Sequence, residues 1–293
     1  MAKGNFIDYI SYEKRYSQHT IKAYQRDLDQ FTSFLSEQYQ FDDVTNIGHE
    51  HIRSWLVSLM ESGLSTRSVL RKLSTLKSYY KYLVREKKTE HNPTLLVIPP
   101  KTSSRNPEFV DEEHMGELFS GIVYSDDFSG IRDLLMLEVF YGTGIRLSEL
   151  IELREQDISF DNHTMKVLGK RNKERLIPFT NKMREQLFGY LQMKRKQGFE
   201  ADTQLFVTDK GNKLYPRLVY RIVNKYLSQV TTLTQKSPHV LRHTFATHML
   251  KHGADLNAIK EFLGHTNLAA TQVYTHNTVE KLKEIYKQAH PRA

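Results

Sequence analysis

The chain has 293 residues, no cysteine, 39% apolar and 11% aromatic side chains, and a formal charge of +8 from 42 basic against 34 acidic residues. That composition fits a folded protein of about two domains. It excludes disulfides, thiolate nucleophiles and cysteine-ligated metals, and it favours a polyanionic partner.

The opening MAKGNFIDYISYEKRYSQ carries charges and tyrosines where a signal peptide needs an apolar block, and no apolar run is long enough to span a bilayer. A cytoplasmic protein with no membrane role is expected. In SQHTIKAYQRDLDQFTSFL, the residues Ile21, Tyr24, Leu28, Phe31 and Leu35 recur at the helical period. A second helix carries Ile52, Leu56 and Leu59 and ends at Gly63, and Ser65 is placed to cap a third. The third, STRSVLRKLSTLKSYYKYLVREK, sets an apolar row (Val69, Leu73, Leu76, Tyr80, Leu83) opposite a polar row of Arg67, Arg71, Ser74, Ser78, Lys81 and Arg85. Solvated faces usually mix signs, so Arg67, Arg71, Lys81 and Arg85 are expected to contact phosphate.

HNPTLLVIPPKTSSRNPEF breaks every period and reads as a linker, with the boundary near residue 105. The expected division is a helical domain at 1–97, a linker at 98–107 and a second domain at 108–293. Two helices follow, VDEEHMGELFSGI and FSGIRDLLMLEVFYGTG, the latter closing on Gly142 and Gly144. Short alternating runs between Asp157 and Phe179 predict a small antiparallel sheet with Lys170 on a hairpin turn. Beyond it, apart from QLFVT, the pattern is helical, so the fold class is mainly α with a small antiparallel β-sheet.

Basic side chains converge in the second domain. Paired glycines in GTGIRLSEL are expected to turn the chain so that Arg146 stands at a helix start, where an anion is favoured. In SPHVLRHTFATHML, His239 and Arg242 lie one helical turn apart and suit two oxygens of one phosphate, while His243 reads as structural. No Gly-rich phosphate loop and no HExxH pair occurs. Within LGHTNLAATQVYTH, His265 and Tyr274 taken singly read as a solvated polar residue and a packing residue on a short helix. Taken with two arginines, a histidine and a turn lysine, they supply the parts needed to displace an alcohol from a phosphodiester without a metal.

GTGIRLSEL, GKRNKERLIP, HVLRHTFATHML, LGHTNLAATQVYTH and the terminal HPRA, in that order, resemble the tyrosine site-specific recombinases of the phage-integrase family. The resemblance is to the bacterial Xer type, XerD and XerC, leaning to XerD. SQHTIKAYQRDL, STRSVLRKLSTLKSYYKYL and the NPT…PPK linker extend it over nearly the whole chain. It implies a SAM-like N-terminal core-binding domain and a C-terminal catalytic domain that grip DNA from two faces. It also implies that Arg146, His239 and Arg242 hold the scissile phosphate, with His239 able to take the nucleophile's proton and His265 a further donor. Tyr274 is then the nucleophile, giving a 3′-phosphotyrosyl link and a free 5′ hydroxyl, and Lys170 protonates the departing oxygen. Lys170 takes the family's lysine position ahead of Lys173, although Arg171 stands where the family more often has glycine. Glu149 and His243 stand behind these residues, Glu149 orienting Arg146.

No cofactor is implied. The implied partners are double-stranded DNA at a specific recombination site and a recombinase tetramer on two sites, with a second Xer-type recombinase and an FtsK-like DNA translocase as candidates. The tail TVEKLKEIYKQAHPRA, with Val279, Leu282, Ile285 and Tyr286 at helical spacing, is expected to dock on a neighbouring protomer or to pack on its own domain. The implied activity is strand exchange through a Holliday junction, in chromosome-dimer resolution or in integration and excision of a mobile element. The competing readings are a type IB topoisomerase and a DNA-binding regulator without the chemistry.

Overall fold

The computed structural model describes residues 2–41, 43–101, 108–169, 174–199, 204–264 and 276–292, with backbone alone at 2 and 276–279. The chain divides into two compact units, Met1–Arg105 and Asn106–Ala293. Among the described residues no helix is long and apolar enough to cross a membrane.

The first unit is built from α1 (Ala2–Asp8), a π-helical turn (Tyr9–Glu13), α2 (Gln18–Tyr39), α3 (His49–Glu61), α4 (Thr66–Arg85) and a 3-10 turn (Pro93–Leu96). The Ser65 hydroxyl caps α4 by accepting the Ser68 N–H at 3.4 Å. The apolar row of α4, from Val69 to Leu83, is buried against Leu28 and Phe31 of α2 and Trp55 of α3, whose ring lies 4.9 Å from that of Phe31. Each such side chain stabilises the unit by roughly 1.5–3 kcal/mol. The four cations of the opposite row are exposed.

The second unit carries α5 (Glu112–Ser120), α6 (Phe128–Thr143), α7 (Leu147–Glu152), β1 (Ile158–Ser159), β2 (Thr164–Leu168), β3 (Glu174–Pro178), α8 (Asn181–Lys196), α9 (Pro216–Val230), α10 (Pro238–Lys251), α11 (Leu256–Leu263) and α12 (His276–Ala289). Helix α6 is buried on nearly all sides and packs against α8 and α10; apolar residues occur all round it, and its buried charges are paired, Arg132 with Asp133 and Glu138 with Arg292. The strands form one antiparallel sheet in the order β1-β2-β3, pairing Met165 with Ile177 and Val167 with Arg175. All four of those residues face the core.

The glycine pair at the end of α6 departs from the expected turn. Gly144 alone makes it, with a φ of +60°. Gly142 lies inside α6, where a Cβ would come within 2.7 Å of Met183 of α8 and 3.3 Å of the Tyr286 hydroxyl. Its missing side chain serves the close approach of helices.

Helix α12 packs on its own unit, against β3, α10 and α11, with Leu282 and Tyr286 in the core. The Tyr286 ring stacks on His290 at 4.8 Å. His290 donates through Nε2 to the Tyr141 carbonyl at 3.2 Å and accepts the Arg292 N–H at Nδ1 at 3.2 Å. That pattern is complete only for the neutral ring. Burial pushes the His290 pKa down to about 4 from an ordinary 6.5, opposed by the bond to Tyr141. Between those values the unfolded chain binds a proton that the folded one refuses, so stability is lost as pH falls below about 6.5. At pH 5 the loss from this group is about 2 kcal/mol. The melting temperature of the wild type is therefore expected to fall more steeply between pH 7 and pH 5 than that of His290→Asn, measured by thermal denaturation; parallel slopes would contradict this.

Candidate active site

Helix α11 begins at Asp255, whose carboxylate caps the N–H groups of Asn257 and Ala258, and ends at Gly264, whose φ of +62° turns the chain out of the helix. Three consecutive carbonyls at that end each accept a bond from a different arginine. Arg175 of β3 donates from Nε to Phe262 at 2.8 Å, Arg242 of α10 from Nη2 to Leu263 at 2.6 Å, and Arg146 from Nη2 to Gly264 at 3.1 Å. The carbonyl end of a helix carries partial negative charge and lacks intrahelical donors, so cations are favoured there.

The same arginines are tied to one another. Glu149, one turn into α7, accepts Nη1 of Arg146 at 2.6 Å and Nη1 of Arg175 at 2.9 Å on Oε1, and Nη2 of Arg175 at 2.8 Å and the Arg146 N–H at 2.8 Å on Oε2. Arg242 also donates from Nη1 to the Gly144 carbonyl at the turn closing α6. Burial raises the Glu149 carboxyl, but Arg175 and then Arg146 outweigh it and hold the group at about 2. Burial lowers the Arg242 pKa to about 9, helped by the positive charges of Arg146 and Arg175, so its guanidinium stays charged at neutral pH.

Three guanidiniums against one carboxylate leave an excess of positive charge in a largely buried place. Arg242 and Arg175 are 9% and 4% exposed, whereas the Arg146 side chain keeps 23% of its surface. Such an excess is costly without an anion, and a phosphate supplies one. The expected anion site at the start of α7 is itself filled by the carboxylate of Glu149, so the receptive element is the guanidinium cluster rather than the helix end.

The structure thus brings Arg146, Glu149 and Arg242 together. His239 lies one turn before Arg242 on α10 and is exposed. His243 points elsewhere, its ring edge-on to Phe109 at 6.3 Å. Lys170, His265 and Tyr274 lie outside the described residues, as does the short helix expected at NLAATQVY. The backbone of α12 resumes at His276, so the stretch bearing His265 and Tyr274 runs from the arginine-bound end of α11 to the start of α12.

Sequence reasoning missed Arg175. The signal was available: in ERLIP, strand alternation puts Arg175 on the same face as Ile177, an inward position that a cation takes only with a partner. It also missed the exposed row Arg217, Arg221 and Lys225 on α9, spaced by one helical turn. With Tyr215, Tyr220 and Lys236 these line an open groove of about 740 Å³ that has no acidic lining residue among the described residues.

On α4 the four cations differ. Arg71 forks onto fully buried Asp27 of α2 at 2.5 and 2.9 Å, where Lys72 and Thr75 also bind. Arg85 pairs with Glu86 and lies 4.0 Å above the Tyr9 ring. No ion pair of Arg67 or Lys81 occurs among the described residues. The stripe is therefore part structural, because an acid on a neighbouring helix answers a cation that looks unopposed along its own.

The family model "Phage integrase family" matches residues 108–281, and "Phage integrase, N-terminal SAM-like domain" matches 4–87. The chain is 42% identical over 292 residues to tyrosine recombinase XerC of Oceanobacillus iheyensis, covering 98% of this chain and 95% of that one. It is 38% identical over 316 residues to XerC of Chlorobaculum tepidum, covering 99% and 94%. These relatives bear the name XerC, where the sequence leaned to XerD. In fold it is similar to XerH site-specific recombinase bound to palindromic difH substrate (TM-score 0.70, 21% identity, 99% and 82% covered). It is likewise similar to the Tn1549 transposon integrase in complex with a circular intermediate DNA (TM-score 0.72, 17% identity, 97% and 99% covered).

Proposed function

The chain belongs to the phage integrase family, as a tyrosine recombinase that breaks and rejoins DNA through a phosphotyrosine intermediate, and on that premise we propose that Arg146 and Arg242 hold the scissile phosphate for attack by Tyr274. The observation that carries the assignment is the clamping of α11's last carbonyls by those arginines, since the chain leading to Tyr274 departs from that point.

A phenol of ordinary pKa about 10 is a poor nucleophile at neutral pH. Two fixed guanidiniums lower the barrier by stabilising the charge that builds on the phosphoryl oxygens. The Tyr274 oxygen bonds to phosphorus, the bond from phosphorus to the 5′ oxygen breaks, the phenolic proton passes to His239, and Lys170 delivers a proton to the leaving oxygen, with His265 a further donor to the phosphate. The new ester retains the energy of the old one, so rejoining by a 5′ hydroxyl needs no nucleotide.

DNA is the polyanion that the +8 charge and the basic faces suit. Within the polar row of α4, Arg67 and Lys81 are the cations without an ion pair among the described residues and so the freer for phosphate, and Arg217, Arg221 and Lys225 of α9 supply a second contact face beside two exposed tyrosines. Most such contacts position the protein, and a few side chains read bases. In the assembled state, four protomers on two sites exchange strands through a Holliday junction, and a second Xer-type recombinase and an FtsK-like translocase act as partners. Helix α12, expected to dock on a neighbour or on its own domain, takes the second course in this chain by itself, and docking on a neighbour requires it to leave the core that holds Leu282 and Tyr286. The biological roles proposed are chromosome-dimer resolution or the movement of a mobile element.

The test is covalent trapping. Purified protein incubated with fragmented host DNA and quenched with detergent is expected to retain DNA from one short sequence, whose location separates a chromosomal locus from the ends of an element. Absence of retained DNA would contradict the reading. Efficient relaxation of a plasmid lacking that sequence would favour a topoisomerase, a reading that the matched SAM-like domain at 4–87 disfavours.

A further inference from the structure

Every nitrogen of the Arg175 guanidinium is bonded, Nε to the Phe262 carbonyl and the two Nη atoms to Glu149. At 4% exposure, with Nε as well as both Nη atoms engaged, the side chain is not turned to a phosphate that approaches from solvent, whereas the Nε of Arg242 has no partner among the described residues. Its surroundings are nonetheless those of the site. The Glu149 carboxylate that it grips is shared with Arg146, and the carbonyl it binds precedes by one residue the one held by Arg242. The exit turn of α11 packs on the guanidinium so closely that a Cβ at Gly264 would stand 3.2 Å from Arg175 Cδ and Nη1. Across the sheet Arg175 is paired with Val167 of β2, on the strands leading into and out of the hairpin on which the sequence places Lys170.

We propose that Arg175 is a positioning residue for strand cleavage, tying strand β3, the carboxylate behind Arg146 and the last turn of α11 together without itself touching DNA. The inference rests on the recombinase reading above and adds a residue to it. A single guanidinium sets two registers at once, that of the phosphate-holding Arg146 through Glu149 and that of the chain running to Tyr274 through Phe262. A lysine can supply charge to one of these acceptors but cannot span both.

Loss of Arg175 has a second consequence. The charged groups facing Glu149 are Arg146 at the start of α7 and Arg175 on β3, with Arg242 of α10 close enough to feel its charge. Without Arg175, the burial that already opposes ionisation of Glu149 meets only Arg146, and the carboxyl takes up a proton at higher pH.

The experiment uses the full chain and a nicked suicide duplex carrying the sequence recovered by trapping, and reads DNA affinity, the single-turnover rate of adduct formation at saturating protein, and the dependence of that rate on pH. Arg175→Gln is expected to slow adduct formation by about 100-fold, the scale of a misplaced reacting group, while DNA affinity changes much less. An acid limb absent from the wild type should also appear in its rate profile. Arg175→Lys is expected to lack that limb yet remain slow. Cleavage by Arg175→Gln at the wild-type rate overturns the proposal, as does a parallel fall of rate and affinity with an unchanged pH profile, which would make Arg175 a purely structural residue. If Arg175→Gln does not fold, Arg175→Lys decides alone: slow cleavage with retained binding supports the proposal, and a wild-type rate overturns it. A wild type that forms no adduct sinks the recombinase reading itself, a result separate from any behaviour of the variants.

Discussion

Arg242→Gln is expected to lower the single-turnover rate of strand cleavage by at least about 100-fold at saturating protein, the scale of removing one preorganised donor from a developing oxyanion. The side chain is charged, 9% exposed and fixed at both ends of its fork by the Gly144 and Leu263 carbonyls. On the proposed reading it would meet a phosphate without first being ordered, which no solvated cation on the surface could do. The substitution also removes the donor that those two buried carbonyls share, at about 1–3 kcal/mol each, so a lower melting temperature should accompany the slower rate. Arg242→Lys separates the two effects. It restores the charge but not the fork, and should regain part of the stability while cleaving slowly. Cleavage by a folded Arg242→Gln at the wild-type rate would remove Arg242 from the phosphate site.

Glu149→Ala is expected to be the most destabilising single change in the cluster. It leaves Arg175 buried without its counter-charge, which costs about 3–5 kcal/mol and lowers the melting transition of the second unit by about 10 °C. The pH dependence identifies the cause. The folded carboxyl sits at about 2 against an ordinary 4.5, so its stabilisation is complete above about 4.5 and is lost as pH falls through 2. It amounts to about 3 kcal/mol. Calorimetric melting curves of wild type and variant should therefore converge as pH is lowered from about 5 towards 2. A gap that is constant across that range would mean that the charge of Glu149 contributes nothing.

Apart from α1 and the π-helical turn after it, which sequence reasoning missed, the helices were legible because their apolar rows recur at the helical period, and the row from Val69 to Leu83 lies in the core as its spacing requires. The small sheet was legible from its alternation, and Arg146 and Arg242 from their place beside a turn and on a helix face. What the sequence hid were relations between distant segments. Asp27 neutralises Arg71 across 44 positions, and Glu149 meets Arg175 across 26, pairings that no local period encodes. Gly142 looks like half of a turn along the chain, and only the approach of Met183 and Tyr286 shows it to be a packing glycine. The row on α9 was visible in principle, as three cations one turn apart, but a charged stripe in a helical stretch carries little weight until its groove is seen to contain no acid among the described residues.

Everything proposed for the site depends on one phenol acting beside positioned guanidiniums. The most direct measurement is to trap the covalent complex on a nicked duplex carrying the target, digest it with protease and locate the DNA-linked peptide by mass spectrometry, with Tyr274→Phe run in parallel. The expected result is DNA attached to the peptide containing Tyr274, and a Phe variant that binds the duplex with unchanged affinity yet forms no adduct. An adduct on any other residue, or one that survives in Tyr274→Phe, would contradict it.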